Sequence, residues 1–174
     1  MTADQIGSKA ISDLTAASSV HVVGTYSGGA EQLNVIAGGS KCSGTITLKG
    51  AGATTLIAEG STLWVKVSGV NGYIQTTMTN SEYASFAGLC DPSKIAALVP
   101  PALALTKGAT STIDGQQVLE LDGAGNTYTD YVSESNPPEL LRADLSGQGE
   151  LNFSDFNAPV TISPPPASEI IGST

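Results

Sequence analysis

The chain has 174 residues, enough for one domain that buries roughly two thirds of its unfolded surface. Apolar residues make up 40% and charged residues only 13%, with 20 glycines and abundant serine and threonine, a mix that favours a β-rich domain of the secreted type over a helical cytosolic one. Its net charge of −9 repels nucleic acid and anionic membrane surfaces, which leaves basic proteins and neutral ligands as partners.

Ala3–Ala16 is predicted to be a helix, with Ile6, Ala10, Ile11 and Leu14 as a narrow apolar stripe. Thr2 and Gln5 have the spacing of a capping box at its start, and the serines at 18 and 19 end it. Val20–Tyr26 then alternates as a strand, with Val20, Val22, Gly24 and Tyr26 on one face. After a turn at residues 27–30, a second strand, Gln32–Ala37, alternates through Leu33, Val35 and Ala37.

Ser43–Val67 is the stretch around which the rest is organised. Thr45–Lys49, Thr54–Ala58 and Thr62–Val67 alternate end to end, separated by KGAG and EGS, where glycine accepts the positive φ of tight hairpins. Connections this short pair neighbouring strands antiparallel. Ile46, Leu48, Leu63, Val65 and Val67 fall on one face, and the threonines, Lys49 and Lys66 on the other. A sheet with one dry face needs a cover. Tyr73–Thr77 extends it after the SGVNG turn.

Ser81–Leu89 and Asp91–Leu105 lose period two and gain helical spacing. Asp91 suits an N-cap with Pro92 in the first helical position, and Ile95, Leu98 and Val99 line up behind it. Pro100–Pro101 breaks that helix, so Ala102–Leu105 is expected to be a second short helical piece. This small, almost uncharged unit is a fitting cover for the dry face. Strands resume at Thr110–Ile113, Gln117–Asp122 and Thr127–Ser133, and SerAsnProPro at 135–138 marks a corner. Leu140–Leu145 and Glu150–Phe153 form a hairpin over SerGlyGlnGly, and Val160–Ile162 closes the folded part. ProProPro at 164–166 is expected to prevent further pairing, leaving a single domain over 1–166 and a loosely held tail over 167–174. The tally is about ten short strands, an N-terminal helix and a helical insertion, an α+β domain with a large antiparallel sheet.

Cys42 and Cys90 allow one disulfide, which the secreted-type composition favours over two buried free thiols. Two cysteines outside a C-x-x-C motif and one histidine do not make a usual zinc set, and no other cofactor is implied. No apolar run reaches the length of a membrane span. MTADQIGSKA is polar from the start and reads as no signal peptide, as expected of a mature domain behind Met1 or of a cytosolic protein.

Chemistry is sparse. His21 sits in a strand without a G-x-S-x-G nucleophile anywhere in the chain, so it reads as a polar-face histidine rather than a general base. Asp144–Asp155 matches a calcium loop at Asp144, Ser146, Gly149 and Asp155, but Gln148 at the fifth position and the missing flanking helices favour a plain hairpin. The acids Asp13, Glu31, Glu59, Asp114, Glu120, Asp130 and Glu134 are scattered singly. Gly28–Gly29, Gly38–Gly39 and Gly123–Gly125 lie between strands rather than opening helices, which argues against phosphate cradles. Trp64 and Tyr83 are candidates for a ligand site, with core or rim packing the commoner use of a lone aromatic.

In order, the chain reads as a helix, SSVHVVGTYSG, CSGTITLKG, IAEGSTLWVKV, LCDPSKIAALV, IDGQQVLEL at Ile113–Leu121 and FSDFNAPVTISPPP at Phe153–Pro166. Over about Ile6 to Pro166 this resembles the actinobacterial lipoproteins related to LprG and LppX, and more distantly the LolA-like lipoprotein carriers. The resemblance implies a curved antiparallel half-barrel with helices covering its concave face. It implies an apolar cavity between them for acyl chains or glycolipids, and Cys42–Cys90 tying sheet to roof. It also implies export and anchoring to the outer face of the membrane through a lipidated cysteine upstream. The expected function is a monomeric, non-enzymatic carrier or sensor of a lipid or glycolipid, lined by Val65, Val67, Ile95, Leu98, Val99 and Leu103. The alternatives are a solid interaction module of the cell surface and, more remotely, a calcium-dependent protein or hydrolase.

Overall fold

A computed structural model describes residues 1–27 and 30–174. Helix α1 is Ala3–Ala16, capped as its sequence dictates: the Thr2 hydroxyl accepts from Gln5 N and the Gln5 side chain accepts from Thr2 N. Strands β1 (Val20–Tyr26), β2 (Ala30–Gly38), β3 (Lys41–Leu48), β4 (Gly52–Glu59), β5 (Thr62–Val67) and β6 (Tyr73–Thr77) follow in hairpin succession. Short helices α2 (Ala84–Gly88) and α3 (Pro92–Ala96) interrupt them, α2 preceded by a single 3₁₀ turn. Strands β7 (Thr106–Ile113), β8 (Gln116–Asp122), β9 (Thr129–Ser133), β10 (Leu140–Leu145), β11 (Gly149–Ser154) and β12 (Ile170–Ser173) complete the set among the described residues. The glycine pair Gly28–Gly29 lies outside them.

All twelve strands join one open, curved sheet in the order β12-β6-β5-β4-β3-β2-β1-β11-β10-β9-β8-β7. Every pairing is antiparallel except β12 beside β6. The chain therefore builds outward from β1 to β6, crosses to the far edge at β7, and returns strand by strand until β11 closes on β1. The crossing segment, residues 78–105, contains α2 and α3, so the cover of the dry face is also the connection that the topology demands.

Register aligns the apolar positions into rows across the sheet. One row runs Phe153, Val22, Val35, Gly44, Leu56, Val65 and Ile74. Another runs Val20, Ala37, Cys42, Ala58 and Leu63. A third runs Leu151, Gly24, Leu33, Ile46, Thr54 and Val67. Thr54 thus stands on the dry face, only 2% exposed, where the sequence reading puts all threonines on the wet one. Its β-branched shape fills a valine-like position between Ile46 and Val67. Two glycines in these rows are dictated by close strand approach. A β-carbon on Gly24 would overlap the Glu150 carbonyl, and one on Gly44 would overlap the Asn34 carbonyl.

The roof has two parts. The buried line of α1 is Ala3, Gly7, Ala10 and Leu14, rotated from the expected stripe so that Ile6 and Ile11 are only partly covered. Helix α1 packs against α3 and over β9 and β10, so the N-terminal helix is itself a cover. The second part is α2, α3 and the segment to Leu105. Asp91 caps α3 through Ser93 N, with Pro92 in the first turn, and Ile95 and Val99 point into the core. Cys42 on β3 and Cys90 between α2 and α3 form a disulfide, with Cα atoms 5.3 Å apart, and Cys90 O accepts from Gly39 N.

Three expectations fail at prolines and at the C-terminus. Residues 102–105 are a bent strap with no helix: Leu103 N bonds back to Pro101 O and Ala104 takes a positive φ, and neither is compatible with a right-handed helical turn. Val160–Ile162 forms no strand; held between Pro159 and Pro164, it runs as irregular chain, with Val160 packed over Gly38. The tail does not hang loose: Ile170–Ser173 adds strand β12 to the edge at β6, because the proline run delays pairing without ending it.

Replacing Gly24 with alanine is expected to lower stability by about 1–3 kcal/mol in urea unfolding, because the β1–β11 seam must part to admit the methyl group. Replacing Cys42 and Cys90 together with serine is expected to cost about 4 kcal/mol in the same measurement, the chain-entropy value for a loop of this size.

Candidate ligand-binding interior

Between the concave sheet and the roof lies one continuous apolar core. Of the six residues expected to line a cavity, Val65, Ile95 and Val99 are buried in this core, and Val67 and Leu98 pack partly buried against it. Leu103 does not join them. It is 68% exposed, because the strap turns through the Leu103 N to Pro101 O hydrogen bond and a positive φ of 55° at Ala104, which throws the leucine outward.

Two hydrogen bonds fasten the strap. The Tyr128 hydroxyl donates to Pro101 O at 2.9 Å, and Leu105 N donates to Asp4 Oδ1 at 2.7 Å in the first turn of α1. Beneath it the helix comes close: a β-carbon on Gly7 would lie 2.7 Å from Leu105 Cδ1 and 3.0 Å from Ala102 Cβ. Burial, then the nearby Asp130 charge, raises the Tyr128 pKa, which keeps the phenol a donor.

Asp130 is the residue that a reading by motif passes over. On β9 it is fully buried at 0% exposure, paired across the sheet with Leu121 on β8 and Ala143 on β10. Neither carboxylate oxygen has a hydrogen-bond partner among the described residues. An unsatisfied buried polar group costs about 1–3 kcal/mol. Burial pushes its pKa from 3.8 up to about 7, so below that pH the group holds its proton rather than a charge. A signal for it was present. Tyr128, Asp130 and Val132 share a parity, and all three are buried, so strand alternation puts an acid in a dry column.

The other candidates stand apart from this interior. His21 Nε2 contacts Asn34 Oδ1 at 2.8 Å, and its Nδ1 lies 3.6 Å from Asp155 Oδ2. Ser154 Oγ donates to that same Asp155 oxygen at 3.4 Å, so the serine meets the acid and not the imidazole, which is the wrong order for a nucleophilic triad. His21, Ser154 and Asp155 edge a cleft of about 560 Å³ that Val23, Leu141 and Asn152 also line. The calcium pattern is pulled apart by the hairpin it forms. Asp144 pairs with Glu150 beside the turn, while Asp155 follows the opposite end of β11. Arg142 lies against Asp144 and Glu150, and no cluster of three metal-ligating side chains occurs among the described residues. Trp64 is buried on the side of the sheet away from Leu63 and Val65, its indole donating to Gln75 Oε1, whereas Tyr83 is partly buried against the core beside α2.

A curved, one-sided antiparallel sheet under a disulfide-tied helical roof is the half-barrel architecture expected from the LprG and LppX resemblance. Among solved structures, LprF from Mycobacterium bovis matches with a TM-score of 0.66 at 18% identity, over 94% of this chain and 96% of its own. The Mycobacterium tuberculosis lipoprotein LppX matches with a TM-score of 0.61 at 17% identity, over 92% and 98%. Neither a family model nor a curated protein sequence matches the chain. At these identities the likeness establishes a shared fold.

Because the folded protein holds the Asp130 proton that the unfolded chain releases at an ordinary carboxylate pKa, this group favours folding at low pH. The contribution is lost as pH rises from about 4 toward about 7. Melting curves of Asp130→Asn and the parent are expected to converge near pH 4. They should diverge in the variant's favour as pH rises from about 4 to about 7, and the gap should level off above that at roughly 4 kcal/mol at most.

Proposed function

We propose that this is an exported, non-enzymatic domain of the cell envelope that takes up a lipid or glycolipid between the concave sheet and the roof. The observation that carries the reading is a continuous apolar face covered by short pieces. The crossing half of the roof is joined to the sheet by one disulfide, a few hydrogen bonds and side-chain packing. Such a cover can lift without breaking the strand ladder, and each Å² of acyl surface buried beneath it contributes about 25 cal/mol. Val65, Val67, Ile95, Leu98 and Val99 would contact the guest, while Leu103 would lie on the outer side of the strap. Residues 1–166, with β12 added at the β6 edge, would act as a single binding domain.

The disulfide supports residence in an oxidising compartment. The fold shared with the lipoprotein LppX supports placement at the envelope, with an anchor upstream of the domain. The charge of −9 supports attachment by such an anchor rather than by adsorption to anionic lipid.

One observation favours a second reading. Leu63, Val65 and Ile95 are fully buried with the roof closed, as in a solid interaction module whose function lies on its outer surface. Native mass spectrometry with organic extraction separates the two. An added mass that extracts as lipid supports the carrier, and a clean mass that persists after incubation with phospholipids and glycolipids supports the solid module. In the carrier, Leu98→Arg is expected to reduce lipid uptake at least about tenfold while leaving the fold intact by circular dichroism; unchanged uptake would displace the site from this interior.

A further inference from the structure

Among the described residues, the Asp130 carboxylate supplies the only buried side-chain oxygens left without a hydrogen-bond partner. It leaves β9 on the concave side, flanked by Leu121 and by the small Ala143, within the half of the sheet that α1 covers. Tyr128 shares that face two residues away, and its hydroxyl pins the strap at Pro101. Asp4 pins the strap again at Leu105. The polar spot therefore sits near the part of the roof that these two hydrogen bonds fasten, with the exposed Leu103 on the strap's outer surface.

A wholly hydrocarbon guest offers this spot nothing. A phosphate or carboxylate head would have to give up its water near Asp4, in a medium that screens charge poorly. A neutral carboxyl both donates and accepts, and a hydroxyl is the smallest uncharged head that matches it on both counts. Resting on the lipid-binding reading above, we propose that Asp130 is the polar end of the ligand site and selects an uncharged amphiphile with a free hydroxyl. The acyl or alkyl chain would extend from there along the apolar rows of the sheet, and release of the Tyr128–Pro101 and Asp4–Leu105 hydrogen bonds would admit it.

The test compares cetyl alcohol with its methyl ether, two probes of nearly the same apolar surface that differ in the hydroxyl proton. Affinities are read by displacement of a fluorescent fatty probe from the full chain, with native mass spectrometry to count bound molecules. The parent is expected to prefer the alcohol by about tenfold or more, the usual scale for meeting a buried polar group. Asp130→Leu should bind both probes with equal affinity while keeping that for the ether. Asp130→Asn, which still donates and accepts, should retain most of the preference. Circular dichroism checks that both variants fold, and if the leucine variant does not, the parent's own preference and the asparagine variant decide the question. Equal binding of the two probes by the parent would overturn the anchor while leaving the lipid reading intact. A preference that survives Asp130→Leu would place the hydroxyl elsewhere and also overturn it. If neither probe binds at all, the lipid reading itself falls and the anchor falls with it.

Discussion

Burial of a one-sided sheet is the constraint on which the rest of this structure depends. Alternation in β1 to β5 sends most of the valine, leucine, isoleucine and alanine to one side, and the register stacks them into rows that run from strand to strand. Such a surface is not stable in water, and the sheet is open, so it cannot close on itself as a barrel would. The cover comes from the connection between β6 and β7. Because these strands lie on opposite sides of the sheet, β7 at one edge and β6 next to the other, the intervening residues must travel nearly its whole width, and an apolar crossing over the concave face satisfies topology and burial together.

The manner in which the roof is held differs from the way the sheet is held. The sheet is a ladder of backbone hydrogen bonds between hairpin neighbours, cooperative and hard to open locally. The crossing half of the roof is made of helices too short to be stable alone, fixed by Cys42–Cys90, by Gly39 to Cys90, and by the two hydrogen bonds on the strap. The disulfide prevents complete detachment near β3, while the strap near Tyr128 has only those bonds and packing.

Asp130 is the place where local rules are broken. Elsewhere the dry face holds apolar side chains or threonines, and at Thr76 the hydroxyl finds a partner in Asn80. A lone carboxyl in the dry column of β9 raises no contact to compensate for its burial. Departures of this kind are costly to keep and tend to mark function more than packing. The outer-face His21, Asn34, Ser154 and Asp155 group shows the opposite case, in which polar side chains meet at ordinary distances, largely in solvent, without the order that catalysis requires.

Periodicity and punctuation in the chain settle nearly all of the local architecture, because they depend only on neighbours in sequence. The capping box of Thr2 and Gln5, the ends of α1, β1 and β5, the Asp91–Pro92 helix start and the hairpins with glycine turns all belong to this class. The order of the strands follows in part, since short connections leave antiparallel neighbours no choice. What tertiary structure alone decided are matters of long-range geometry. Strand parity tells which residues share a face but not which face is covered, so Thr54 and Asp130 read as ordinary until the roof is in place. Helix α1 could not be recognised as roof, nor its buried line rotated toward Gly7, without the strap and β8 to pack against. Leu98 follows closely on α3 and packs partly buried against the core, whereas the backbone turn after Pro100–Pro101 sends Leu103 out. The tail becomes strand β12 because the edge of β6 offers unpaired backbone donors and acceptors, a property of the assembled sheet that no local pattern in Ile170–Ser173 contains.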